Sequence, residues 1–270
     1  MSALSVATRP DIRVTQFRVL KSEWTKLRSV RSTYWTLFVT LLLIIGLGIL
    51  VSAIFNLRWP HLSPHERADF HPLRVSLVGV AFAQLAIGVL GVLAITAEYS
   101  TGMIRATFSA VPKRLPVLWA KTSVFAAVAL LLTLPAVFIA FFAGQSILAG
   151  QHINISISHP GVLRAVFGAA LYLTVMGVFG LGLGAIFRST AGGISALAAI
   201  VFVLPPIIGL FPASFANSVS PYLPSNAGGA VWTITPDANT LHPWAGFAVF
   251  CGYAIASIAI AALLMRRRDT

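Results

Sequence analysis

Apolar residues in this chain run in long unbroken blocks, and charges fall in the short stretches between them. Five windows carry no Asp, Glu, Lys or Arg: Ser32–Leu57, Val75–Ala97, Thr122–Leu163, Ser189–Pro236 and Ala238–Met265. A sixth apolar block, Ala165–Phe187, lies between Arg164 and Arg188. A helix rising about 1.5 Å per residue needs about 20 apolar residues to cross a ~30 Å hydrocarbon layer. Trimmed to that need, the blocks predict spans over 34–55, 75–97, 122–147, 165–187, 190–211 and 244–265. Strands of a membrane barrel would alternate polar with apolar residues, and these blocks do not. The pattern predicts an all-α integral membrane protein with six transmembrane helices.

Proline falls inside two of the spans, at Pro135 and at Pro205–Pro206. Each removes a backbone donor and kinks its helix, either as a tolerated bend or as a gating hinge. Gly180 and Gly184 form a GxxxG spacing that allows close helix approach in the fourth span. Between the third and fourth spans, Ile153, Ile155 and Ile157 alternate with polar residues and predict an extended interfacial segment. The stretch 213–242 is rich in Pro, Ser, Asn and Gly, with a short re-entrant or surface helix expected around 227–234.

Composition sharpens this reading. Hydrophobic residues make up 57% and charged residues only 10%, against about 25% in ordinary soluble domains. The formal charge of +12 would fit nucleic acid were the basic residues not confined to the loops. With the N-terminus inside, 15 of the 19 Lys and Arg lie on the cytoplasmic side, the bias expected of cytoplasmic loops. They then face anionic lipid head groups, and no nucleic-acid partner is expected. Both termini are placed in the cytoplasm, with 1–33 a tail plus helix and 266–270 a short basic tail. The thirty-odd residues before the first span favour an uncleaved anchor over a signal peptide.

Thr8 to Asp11 has the form of a capping box, and Phe17, Leu20, Trp24 and Leu27 follow on one helical stripe. Arg18, Lys21, Glu23 and Lys26 lie largely off it, which predicts an amphipathic interfacial helix with its charges in water. It serves either as a plain anchor or as a lever touching a cytoplasmic partner. All six histidines fall in outer loops. His61 and His65 stand near Glu66 and Asp69, but Pro60 and Pro64 break the helix that would align them as metal ligands, and no metal site is expected. The single cysteine, Cys251, supports neither a disulfide nor a multi-cysteine site.

The loop 98–121 is the most mixed cytoplasmic segment. Glu98 is the only acidic residue between Asp69 and Asp237, and at a helix C-terminus it needs a cation, for which Arg105 is the nearest in sequence. It either closes the loop through an ion pair or, with Gly102 and an exposed Met103–Ile104 pair, belongs to a short helix docking into a partner's groove.

Three stretches resemble the permease subunits of type-2 ATP-binding-cassette exporters, in particular the six-helix permeases of high-GC Gram-positive bacteria. They are Lys21-Ser-Glu-Trp-Thr-Lys-Leu-Arg-Ser29, Glu98-Tyr-Ser-Thr-Gly-Met-Ile-Arg-Ala-Thr107 followed by Val-Pro-Lys113-Arg114, and Leu223-Pro-Ser-Asn-Ala-Gly228. The resemblance covers nearly the whole chain. It implies that two such permeases pair and that two ATPase subunits dock on the cytoplasmic face. It also implies that 98–121 is the coupling helix, the N-terminal helix is the interfacial connecting helix, and the segment before the sixth span dips back into the membrane. ATP and Mg are then expected on the partner ATPase and no cofactor on this chain, in a bacterial plasma membrane.

No Gly-x-x-x-x-Gly-Lys-[Ser/Thr] occurs anywhere in the chain. No span interior holds an Asp, Glu, Lys, Arg or His for a proton relay. The expected function is an ATP-driven export permease and not an enzyme, carrying a drug, lipid or antibiotic-like substrate. A membrane-embedded enzyme or assembly scaffold acting without an ATPase is the alternative.

Overall fold

The computed structural model describes residues 16–103, 114–234 and 239–267. Among them the chain is helical throughout, with no strand. Helix α1 (Gln16–Ser29) precedes α2 (Arg31–His61), α3 (Pro64–Ala68) and α4 (Pro72–Ser100). Then come α5 (Arg114–Leu148, continued by a 3-10 turn to Gln151), α6 (Val162–Phe187) and α7 (Thr190–Gly209). Two short helices, α8 (Ala213–Val219) and α9 (Pro224–Gly229), lead to α10 (Pro243–Arg267). Six helices, α2, α4, α5, α6, α7 and α10, are long and apolar enough to cross a membrane, and the protein is a multi-pass membrane protein. The capping box proposed at Thr8–Asp11 lies outside the described residues.

Helix α6 is the axis of the bundle. Its most apolar window is 72% buried, against 17% for α7 at the edge. Small residues make this possible: a side chain at Gly91 of α4 would run into the Gly177 carbonyl of α6, and one at Gly180 of α6 into the Gly88 carbonyl of α4. The Gly180/Gly184 spacing therefore serves contact within one chain, with Gly184 against Val92. Lipid tails are as apolar as these side chains, so close van der Waals contact is what holds the helices together.

The prolines in the spans sit within or at the start of a helix. Helix α5 runs through Pro135 without interruption. Pro205 and Pro206 open the α-helical segment Leu204–Gly209, directly after a π turn over Ala199–Val203. The widened turn absorbs the missing N–H groups. Pro64 likewise starts a helix: Ser63 and Glu66 form a capping box in which the Ser63 hydroxyl (2.7 Å) and N–H (2.8 Å) donate to the Glu66 carboxylate. Those bonds hold the Glu66 carboxyl below its ordinary range. His61 closes a separate 3-10 turn, and His65 stands 3.3 Å from Asp69 in the open.

Away from α1, at the far end of the bundle, the segment 153–156 has no regular structure, a turn follows at 157–158, and Ile155 and Ile157 pack inward. Gln145 accepts from the Ile155 N–H (2.8 Å) and donates to the Ser76 hydroxyl (2.8 Å), tying this segment to α4 and α5. Helix α9 packs between α6 and α10, with Gly228 against Tyr172 and Phe250. Tyr172 lies ten residues into α6 and Phe250 seven into α10, so α9 reaches roughly 10–15 Å below their far ends. Arg164 fixes its exit by donating to the carbonyls of Val231 (2.8 Å) and Thr233 (3.0 Å). Pro221 and Pro224 begin turns in this dipping segment and do not end it.

Candidate functional site

The near end, where α1 packs, gathers the buried charges of the described residues. Helix α1 lies across the start of α5: Val19 is buried with Val117 and Ala120, and Gln16 donates to the Pro116 carbonyl (3.2 Å). That seating turns Glu23 inward, to 1% exposure. Phe17 and Trp24 are exposed instead, Leu20 and Leu27 are half-buried, and Lys21 stands in the open. The expectation that the charges of α1 face water is thus corrected at Glu23. A polar residue at the centre of the packed face is explained only by what it meets there.

It meets a ring. Lys121 of α5 donates to Glu23 (2.5 Å) and to Glu98 at the end of α4 (2.8 Å), and also reaches the Ala94 carbonyl (3.3 Å). Lys26 donates to Glu23 (2.7 Å) and Glu98 (3.0 Å). Two carboxylates and two ammonium groups alternate around a closed circuit with no net charge. Neutrality is what allows it to be buried: an ion taken out of water costs several kcal/mol unless paired and hydrogen-bonded. Burial would push the Lys26 ammonium down, but its bond to Glu23 and the charges of Glu98 and Glu23 outweigh this and raise it above the ordinary lysine value. The second Glu98 oxygen is buried with no hydrogen-bond partner among the described residues.

Among the described residues, the cations on Glu98 are Lys26 and Lys121. Arg105, the nearest in sequence, lies outside the described residues, as do Ile104 and Lys113. Of Arg114 only the backbone is described, opening α5. Gly102 caps α4 at a φ of +70°, with its N–H bonded to the Tyr99 carbonyl (3.3 Å), and Met103 beyond it is exposed. The structure brings Glu98 together with Glu23 and Lys26 of α1; Gly102 and Met103 sit just outside the ring. Lys121 was missed, because it reads as the last basic residue of a loop. Its signal was its place directly before the third apolar block, level with Glu98 at the end of the second.

A fourth element reaches the same end. Arg188 caps α6 in the left-handed conformation (φ 53°), and its guanidinium lies 5.4 Å from the Tyr99 ring centroid. The Thr190 hydroxyl donates to Thr96 (2.9 Å), joining the start of α7 to the end of α4. Apart from the second Glu98 oxygen, the polar atoms of the ring face one another. Among the described residues, no three His, Cys, Asp or Glu stand close enough to hold a metal. The arrangement ties three helices together: sliding α1 off α4 and α5 would break the Lys121–Glu23 and Lys26–Glu98 bonds, leaving only the Glu23–Lys26 and Glu98–Lys121 pairs.

No family model matches the chain, and none of the curated proteins compared with it is significantly similar.

Proposed function

We propose that this chain is the membrane-spanning subunit of an ATP-driven exporter, working as one of a pair with a second copy or homologue and two separate ATPase subunits. ATP and Mg are bound by those partners. The near end of the bundle faces the cytoplasm of a bacterial cell and carries both termini. Residues 98–121 take the push of the ATPases, with Gly102, Met103, Ile104, Arg105, Lys113 and Arg114 forming the docking surface.

One observation carries this reading: the ring of Glu23, Lys26, Glu98 and Lys121 locks α1 and both ends of the 98–121 segment into one unit. A force applied between Ser100 and Arg114 then reaches α4, α5 and α1 together and tilts them against α6, which is the rigid-body type of switching. A ring of paired charges within an otherwise apolar protein is a costly feature, and transmission of force gives it a use. Affinity purification in mild detergent tests the proposal. An ATPase should co-purify, and its ATP-dependent efflux should fail when Lys113 and Arg114 are reversed in charge. A protein that moves solute uphill alone, or efflux unchanged by the reversal, refutes it.

A further inference from the structure

Beside the ring, on the outside of the bundle, α1, α2 and α5 enclose an apolar groove of about 500 Å3. Trp24 and Arg28 form its mouth, Leu37 and Val128 are among its walls, and Tyr34 and Leu131 are exposed at its edges. Its volume lies within the range of small-molecule sites, roughly 300–1,000 Å3. We infer that this groove is a binding site for one acyl chain of an anionic glycerophospholipid from the leaflet at the near end, with Arg28 holding the phosphate.

Three observations lead to that occupant. The first is depth. The groove ends at Leu41, ten residues beyond Arg31 where α2 begins. At 1.5 Å per residue this is about 15 Å, half of a ~30 Å hydrocarbon layer, so the groove is one leaflet deep. The second is the chemistry of its length: from Leu37 to Leu131 the lining is aliphatic or aromatic, suited to a methylene chain and offering nothing to a polar substrate. The third is the mouth. The Arg28 carbonyl is occupied by the Tyr34 hydroxyl (2.8 Å), but its guanidinium has no ion pair or hydrogen bond with the described residues. Trp24 beside it is the amphipathic ring that settles at head-group level.

The position gives the lipid a consequence. The groove is lined on its α1 side by Trp24, Leu27 and Arg28, and the same helix carries Glu23 into the ring. A chain seated there presses α1 onto α5 from the membrane side, so the lipid composition of that leaflet sets how firmly the ring is held.

The test uses the whole chain in nanodiscs, without any ATPase, so that it stands or falls separately from the export reading. Phosphatidylglycerol and phosphatidylcholine, each with a photoreactive acyl chain, are crosslinked and the adducts mapped. Adducts should concentrate on Leu37, Val128 and Leu131, and phosphatidylglycerol should exceed phosphatidylcholine about five-fold, the ~1 kcal/mol one basic residue contributes at an anionic surface. Arg28→Glu should abolish the head-group preference while keeping the adducts. Leu131→Trp, at a site 71% exposed and so tolerant of bulk, should lower groove labelling about ten-fold and leave labelling at Ile255, 68% exposed on α10, unchanged. Labelling of the groove no denser than at Ile255 would mean bulk lipid only. Equal labelling by both lipids, or crosslinks from Leu131 to a second copy of the chain, would overturn the inference as well.

Discussion

Lys121→Met removes the more deeply buried of the two cations that touch both carboxylates and keeps the length and apolar stem of the side chain. In the parent, Lys121 is 4% exposed, Glu23 1% and Glu98 3%, so water does little to screen them. The variant leaves Glu23 and Glu98 sharing Lys26 alone. Breaking a buried ion pair by deleting one partner costs ~3–5 kcal/mol, because a charge is left buried without compensation. That is about two to three and a half powers of ten in the folding equilibrium. Reversible unfolding in mixed dodecylmaltoside and dodecylsulfate micelles, followed by circular dichroism, measures it. The same cycle with Glu98→Gln isolates the pair: the double variant should cost less than the two single variants together by about 1–3 kcal/mol. Lys26→Met should cost less than Lys121→Met, since Lys26 is a quarter exposed. A Lys121→Met variant within ~0.5 kcal/mol of the parent, or strictly additive costs, would show that the ring does not hold the near end together.

Gly180→Leu places a side chain against the Gly88 carbonyl and should cost ~3 kcal/mol or more in the same assay, whereas Gly252→Ala, with open space around it, should stay within ~0.5 kcal/mol or gain. Gly102→Ala forces a Cβ into the left-handed region although nothing crowds it; a loss of about 1 kcal/mol is expected, read from faster hydrogen exchange at the end of α4. The Glu66 cap has a definite pH sign. Its carboxyl sits below the ordinary value of 4.5, so the cap's contribution is complete above that pH and is lost as the pH falls through the folded value. Exchange at residues 63–68 should therefore quicken, relative to the intrinsic rate, below about pH 4.5, and in Ser63→Ala this added dependence should vanish.

The six spans were legible because bilayer thickness demands a run of apolar residues that no other element needs. Their ends were less so. Helix α5 begins at Arg114 although its apolar run begins at Thr122, because Val117, Leu118 and Ala120 pack inward and carry the helix on toward α1. Helix α2 continues past Phe55 to His61 for lack of any breaker before Pro60. The ring was hidden for a different reason. Lys121 is 98 residues from Glu23 and 23 from Glu98, so closeness along the chain does not point to it. Glu23 was misplaced because helical periodicity tells which residues share a stripe but not which stripe packs. Here the face of Val19 and Glu23 meets α5, and the more hydrophobic stripe of Phe17 and Trp24 is left outside.

Transport in vesicles tests the central claim most directly. The chain is purified with whatever ATPase accompanies it and reconstituted either complete or stripped of that partner. Export of a fluorescent lipophilic probe should then be followed with and without ATP. The complete assembly should accumulate the probe only with ATP, the stripped chain should not, and Lys121→Met should hydrolyse ATP with little accumulation. Uphill movement by the stripped chain, or accumulation by Lys121→Met equal to the parent's, would contradict the account.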